Sequence, residues 1–179
     1  MSNFHPKEVL TVRYTESIAI EELVAKQEIT EVLYSYARGL DRMDRALADR
    51  VWHNDGTADY GPGFRGTGTE FLDFVWTYHL TLNAHSHLVS NTLISVDLGA
   101  STATSEAYVS VWLRSTPSEG TVTDIHHRGR YVDRWSHRDG RWAIDHRIYV
   151  ADIMNETTGA EGPETWGLRN ADDPSYLVL

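Results

Sequence analysis

Gly129-Arg130-Tyr131-Val132-Asp133-Arg134-Trp135-Ser136-His137-Arg138-Asp139-Gly140-Arg141-Trp142-Ala143-Ile144-Asp145-His146-Arg147 joins two alternating runs through an Asp-Gly pair. Asp-Gly favours the tight turn of a hairpin, so residues 122 to about 137 and 141 to about 152 read as antiparallel neighbours. The same period of two continues upstream. Residues 85–96, ended by Asp97-Leu98-Gly99, read as one strand and 102–113 as the next. In the latter Ala103, Ala107, Val109 and Val111 alternate against Thr104, Glu106, Tyr108 and Trp112.

Before residue 84 the period lengthens to three and four. Ile20, Leu23, Val24, Ile29, Val32, Leu33, Ala37 and Leu40 predict a long helix over 18–40 that buries this face, with Tyr36 on the buried side. A short helix is expected over 44–51. Breakers at His53-Asn54-Asp55-Gly56, Gly61-Pro62-Gly63 and Gly66-Thr67-Gly68 bracket a short strand near 57–60. Thr69 is the expected N-cap of a third helix presenting Phe71, Phe74, Val75, Tyr78 and Leu82. Helices first and long strands afterwards make an α+β domain, a curved antiparallel sheet wrapped partly around the helices. Residues 1–16 read as an N-terminal arm, 17–155 as the domain and 156–179 as a polar tail with an apolar end, suited to covering a pocket or a subunit interface.

A chain of 179 residues is one domain's worth. Its formal charge of −10, with Lys and Arg forming no stripe, argues against nucleic acid and anionic membrane as partners. Cysteine is absent, which removes disulfides, thiolate metal sites and a cysteine nucleophile. No signal-peptide core opens the sequence and no apolar run approaches the ~18 residues of a membrane span, so a cytoplasmic protein is expected.

The chemistry-bearing residues are few. Asp41 closes the long helix, where the macrodipole disfavours a carboxylate by ~0.3–1 kcal/mol. It is either the N-cap of the next helix or a carboxylate held for another purpose. His85 and His87 share one face of a strand, together with Asn91. Two such histidines can share a metal, but no glutamate follows in the next dozen residues, and no metal site is expected. Arg147 shares its strand face with Asp145 and Tyr149, while His126-His127-Arg128-Gly129-Arg130 reads as an exposed strand end or intersubunit patch. With no phosphate-binding Gly loop, nucleophile elbow or His-Glu-x-x-His, what remains is a set for cofactor-free proton transfer. A histidine removes a proton, a carboxylate fixes its tautomer, and a phenol or guanidinium stabilises the oxygen that gains charge.

Tyr34-x-x-Ala37-x-x-x-Asp41, the Trp52-His53-Asn54-Asp55-Gly56 turn, His87-x-x-x-Asn91 and the 129–147 hairpin together resemble the SnoaL-like branch of the NTF2-like superfamily. The likeness covers about residues 17–155. It implies a cone-shaped barrel, a sheet around three helices with an internal apolar pocket. It also implies kinship with scytalone dehydratase, bile-acid 7α-dehydratase and hexachlorocyclohexane dehydrochlorinase, which are cofactor-free lyases and commonly trimers. By that resemblance Asp41, His87 and Arg147 match catalytic positions and Asn91 accompanies the histidine. Tyr36 sides with relatives whose leaving group is an oxygen. The expectation is a lyase without cofactor acting on a small hydrophobic hydroxylated ring compound, by loss of water or a related carbon–carbon cleavage. Tyr36, Asp41, His87 and Arg147 are its catalytic set; Asn91, Tyr60, Trp112 and Tyr131 contact substrate, and His85 is structural. A proton-transfer isomerase or cyclase, and a non-catalytic binding module or dioxygenase small subunit, are the alternatives.

Overall fold

A computed structural model describes the chain from Glu16 to Leu179. The arm expected over 1–16 therefore lies, but for Glu16, outside the described residues. Three α-helices and six strands follow in the order α1 (Glu16–Asp41), α2 (Arg45–Asp49), β1 (Trp52–Asp59), β2 (Arg65–Thr67), α3 (Gly68–His79), β3 (Ala84–Asp97), β4 (Thr102–Ser118), β5 (Thr121–Arg138) and β6 (Arg141–Ala160), and a 3-10 turn, Pro174–Leu177, lies just before the chain's end. The strands form one sheet in the order β2-β1-β6-β5-β4-β3.

The sheet is curved but not closed, and the helices sit in its hollow. It is mixed rather than purely antiparallel: β1 runs parallel to β6, while the other neighbours are antiparallel. β1 meets β6 only after the chain has passed through α3 and the whole meander, so no hairpin dictates its direction. β6 reaches Ala160, five residues beyond the boundary expected at 155, because it stays paired with the start of β5 through Thr121↔Ala160.

α1 buries Ala25, Ile29, Leu33, Tyr36, Ala37 and Leu40 against the sheet, but Ile20, Leu23 and Val24 stay more than half exposed. Period identifies the apolar face of a helix, not how far along it that face finds a partner. α3 is capped by Thr67, not Thr69: its hydroxyl accepts from the Glu70 amide while the Glu70 carboxylate accepts from the Thr67 amide. Asp44, not Asp41, caps α2 by accepting from the Leu47 amide at 3.0 Å. That frees Asp41 from the capping role.

Register decides which side chains enter the hollow. Val111 stands opposite His127, Ala107 opposite Tyr131, and Asp133 opposite Arg147. These inward positions build the site. Among the described residues no helix is long and apolar enough to cross a membrane.

Candidate active site

The end of α1 and the start of β3 bring Asp41 to His87. The Asp41 carboxylate takes two hydrogen bonds from this one residue, from the backbone amide to Oδ2 at 2.9 Å and from ring Nδ1 to Oδ1 at 2.6 Å. A carboxylate can only accept, so the ring donates from Nδ1, and in the neutral imidazole Nε2 carries the lone pair. Asp41 lines an open groove between α1 and β3, and His87 lines both that groove and an inner cavity of about 240 Å³. Nδ1 is spent on Asp41, which leaves Nε2 for whatever enters the cavity.

The cavity is walled by rings. Tyr60 stacks on Phe71 with centroids 3.9 Å apart and on Tyr149 at 5.2 Å, and Phe64, Phe74, Tyr78 and Tyr131 complete the wall. Its polar atoms are sparse. The Tyr36 and Tyr60 hydroxyls lie 3.2 Å apart, so one donates to the other and the acceptor keeps a hydrogen for a third group. Burial raises the Tyr36 pKa, with the Arg147 charge and the Tyr60 hydrogen bond opposing; for Tyr60 burial wins by more. Both remain neutral donors. Among the described residues the Tyr149 hydroxyl and His79 Nδ1 are buried without a hydrogen-bond partner, although both residues line the cavity. Unsatisfied buried polar atoms are rare enough that a bound polar group is the natural complement.

Arg147, expected in the catalytic set, lies behind the cavity wall. It is wholly buried, and its Nε and Nη2 donate to both oxygens of Asp133 at 2.8 Å. Its guanidinium lies 3.8 Å from the Tyr131 ring centroid and 4.6 Å from that of Tyr36. Burial works against this charge, yet Asp133 outweighs it and holds the arginine well above its ordinary pKa. Arg147 does not line the cavity; the rings of Tyr36 and Tyr131, which do, lie between.

Two expected substrate contacts are not brought in. A bulge between Ser90 and Leu93 breaks the alternation of β3, and Asn91, at φ 49°, is exposed instead of sharing His87's face. Trp112 lies half exposed on the outer face, stacked on the His126 ring at 4.2 Å. Tyr60 and Tyr131 do line the cavity. His85 is fully engaged: its Nε2 donates to the Leu40 carbonyl at 2.8 Å and its Nδ1 accepts from Arg169 at 2.9 Å. With both nitrogens used it cannot join His87 in holding a metal. Burial chiefly pushes its pKa down to about 4, against the pull of Leu40.

Comparison with protein families matches residues 21–148 to the SnoaL-like domain. The chain belongs to the SnoaL-like family. No curated protein matches it. Among solved structures it is similar to a scytalone-dehydratase candidate from Novosphingobium aromaticivorans, at 21% identity over 76% of this chain and 90% of that one, with a TM-score of 0.67. It is similar too to a type 2 hexachlorocyclohexane dehydrochlorinase, at 14% identity over 82% and 97%, TM-score 0.70. A third likeness is to a protein of unknown function from Mycobacterium tuberculosis, at 21% identity over 75% of each chain, TM-score 0.62. At these identities the likeness is one of fold. In this SnoaL-like chain, sequence reasoning missed His79, His127 and Tyr149 as cavity residues. His127 had a signal: it alternates with Tyr131 and Gly129, opposite the apolar Val111, so only His126 belongs to the outer face. His79, on the last turn of α3, had none.

Proposed function

We propose that this SnoaL-like protein is a cofactor-independent lyase that eliminates water from a small hydroxylated ring compound. The observation that carries the reading is the doubly bonded Asp41–His87 pair, whose open nitrogen adjoins an aromatic cavity holding a phenol pair. His87 Nε2 takes a proton from a ring or side-chain carbon, and Asp41 stabilises the imidazolium that results. Oxygen that gains charge as the C–H bond breaks accepts from the free hydrogen of the Tyr36–Tyr60 pair. The imidazolium returns its proton to the departing hydroxyl, so water leaves and His87 ends neutral. Arg147 is a positioning residue that keeps Tyr36 and Tyr131 in place. The cavity volume suits one or two rings, somewhat below the range common for drug-sized ligands.

The test is mass spectrometry of benzylic, phenolic and steroid-like alcohols incubated with the wild type, His87→Ala and Asp41→Asn. A product lighter by water, lost in His87→Ala and slowed ~10²–10⁴-fold in Asp41→Asn, is the expected result. Loss of formaldehyde would move the reaction to carbon–carbon cleavage by the same base. Unchanged mass with altered retention would make the protein an isomerase, and turnover surviving in His87→Ala would sink the assignment of the base.

A further inference from the structure

The turn that carries Asp41 is held from outside the site. α1 ends with the Asp44 amide donating to the Gly39 carbonyl at 2.8 Å and the Met43 amide to Leu40 at 3.0 Å. This is the closure that usually places glycine in the left-handed position. Here that position is Met43, at φ 52°. A side chain there costs on the order of 1–2 kcal/mol. Such a conformation persists only when its surroundings over-determine it.

The surroundings that do so come from the C-terminal segment. Arg38, three residues before Asp41, donates through Nη1 to Ser175 Oγ at 3.0 Å and lies over the Tyr176 ring at 4.6 Å. Arg42, the residue after it, pairs with the buried Asp173 at 3.2 Å. The Tyr176 hydroxyl donates to Asp44 at 2.9 Å. From the inner side Arg169 Nη1 donates both to the His79 carbonyl and to His85 Nδ1, each at 2.9 Å. His85 in turn donates to the carbonyl of Leu40, immediately before Asp41. Asp173 braces the segment itself, accepting from the Ser175 and Leu168 amides. Residues 38, 40, 42 and 44 are thus each tied, directly or through His85, to residues 169–176.

We propose that residues 168–176 are the positioning element of the Asp41–His87 pair, with Arg169, Asp173 and Tyr176 as its positioning residues. The segment does not close over the cavity. It fixes a strained helix end so that one carboxylate meets both the amide and the ring of His87. The role of the pair in catalysis rests on the lyase reading, but the clamp does not.

The experiment is therefore made without substrate. In the ¹⁵N-labelled full chain, the His87 Nδ1–H proton, shared across a 2.6 Å Nδ1–Oδ1 contact with Asp41, gives a downfield resonance, and the ring ¹⁵N shifts report its tautomer. Arg169→Ala and Tyr176→Phe are each expected to move that proton upfield and speed its exchange with water at least tenfold. Arg130→Ala, which removes ion pairs to Asp152 and Glu106 far from the turn, should leave it unchanged. Met43→Gly, which relieves the strain, should restore most of the signal in the Arg169→Ala background. A merely structural role for the tail would lower the melting temperature and leave the resonance of the folded fraction alone; that result overturns the proposal. Should Arg169→Ala not fold, Tyr176→Phe, which removes a single hydroxyl, decides the matter by the same readout. Loss of the resonance together with an inactive substrate panel would keep the clamp and discard the lyase. An intact resonance alongside turnover would do the reverse.

Discussion

Removing either member of the Arg147–Asp133 pair is expected to be far worse than removing both. Neither side chain has any exposed surface, and two parallel hydrogen bonds of 2.8 Å join them. Arg147→Met strands a carboxylate in the core, and Asp133→Leu strands a guanidinium, each at about 3–5 kcal/mol. In a chain of this size that is a melting temperature lower by roughly 6–20 °C. The double variant leaves no charge behind. It should lie within about 2 kcal/mol of the wild type, the residue being the lost contacts of the guanidinium with the Tyr131, Tyr36 and Trp52 rings, at ~0.5–2 kcal/mol for such contacts. Urea unfolding of the four proteins gives the coupling energy directly. Single effects that sum to the double effect within about 0.5 kcal/mol would refute the reasoning, since they would mean that the pair is not desolvated as a unit. The double variant also separates stability from support of the phenols: it should fold and yet disturb Tyr36.

Acid should unfold this protein early. The pKa of His79 is pushed down to about 2 and that of His85 to about 4, in both cases chiefly by burial. The unfolded chain therefore binds more protons below pH ~6.5, and stability is complete above that value and falls as pH drops towards 4. Over that window each histidine removes about 3 kcal/mol at most, a large share of a total near ~5–15 kcal/mol. Thermal melts at stepped pH should show the decline and His79→Phe should remove about half of it, leaving the share of His85; a melting temperature constant from pH 7 to 4.5 would contradict it. Gly129→Ala should disturb the cavity wall, because the added Cβ would lie 2.4 Å from the Val150 carbonyl oxygen and 2.6 Å from a Tyr149 ring carbon. A cost of about 1–3 kcal/mol and a displaced Tyr149 ring in a crystal structure are expected; an unmoved ring would show that β6 yields instead.

How much of the site can be read from the chain depends on whether each residue's partner is local. The helix ending in Tyr36 and Asp41 and the strand carrying His87 follow from hydrophobic period alone, and the two elements do meet. Trp112 was recoverable too, since its own alternation with Val111 assigns it to the outer face, where it lies. Asn91 was not, because a bulge has no marker in a run of otherwise alternating residues. Asp133 could not be named as Arg147's partner, because the closer candidate in sequence, Asp145, turns away to Arg138.

By itself the sequence determined the main helices and strands and the α+β class, since period and turn chemistry are properties of short stretches, and its likeness to the family nominated Asp41 and His87 as a pair. Tertiary structure alone decided that Arg147 is buried against Asp133 and does not line the cavity, that His79 and His127 do line it, and that residues 169–176 return to grip the turn at Asp41. Those facts depend on which strand registers and chain ends meet across the fold, and burial and hydrogen bonding at such distances are fixed by packing rather than by local pattern.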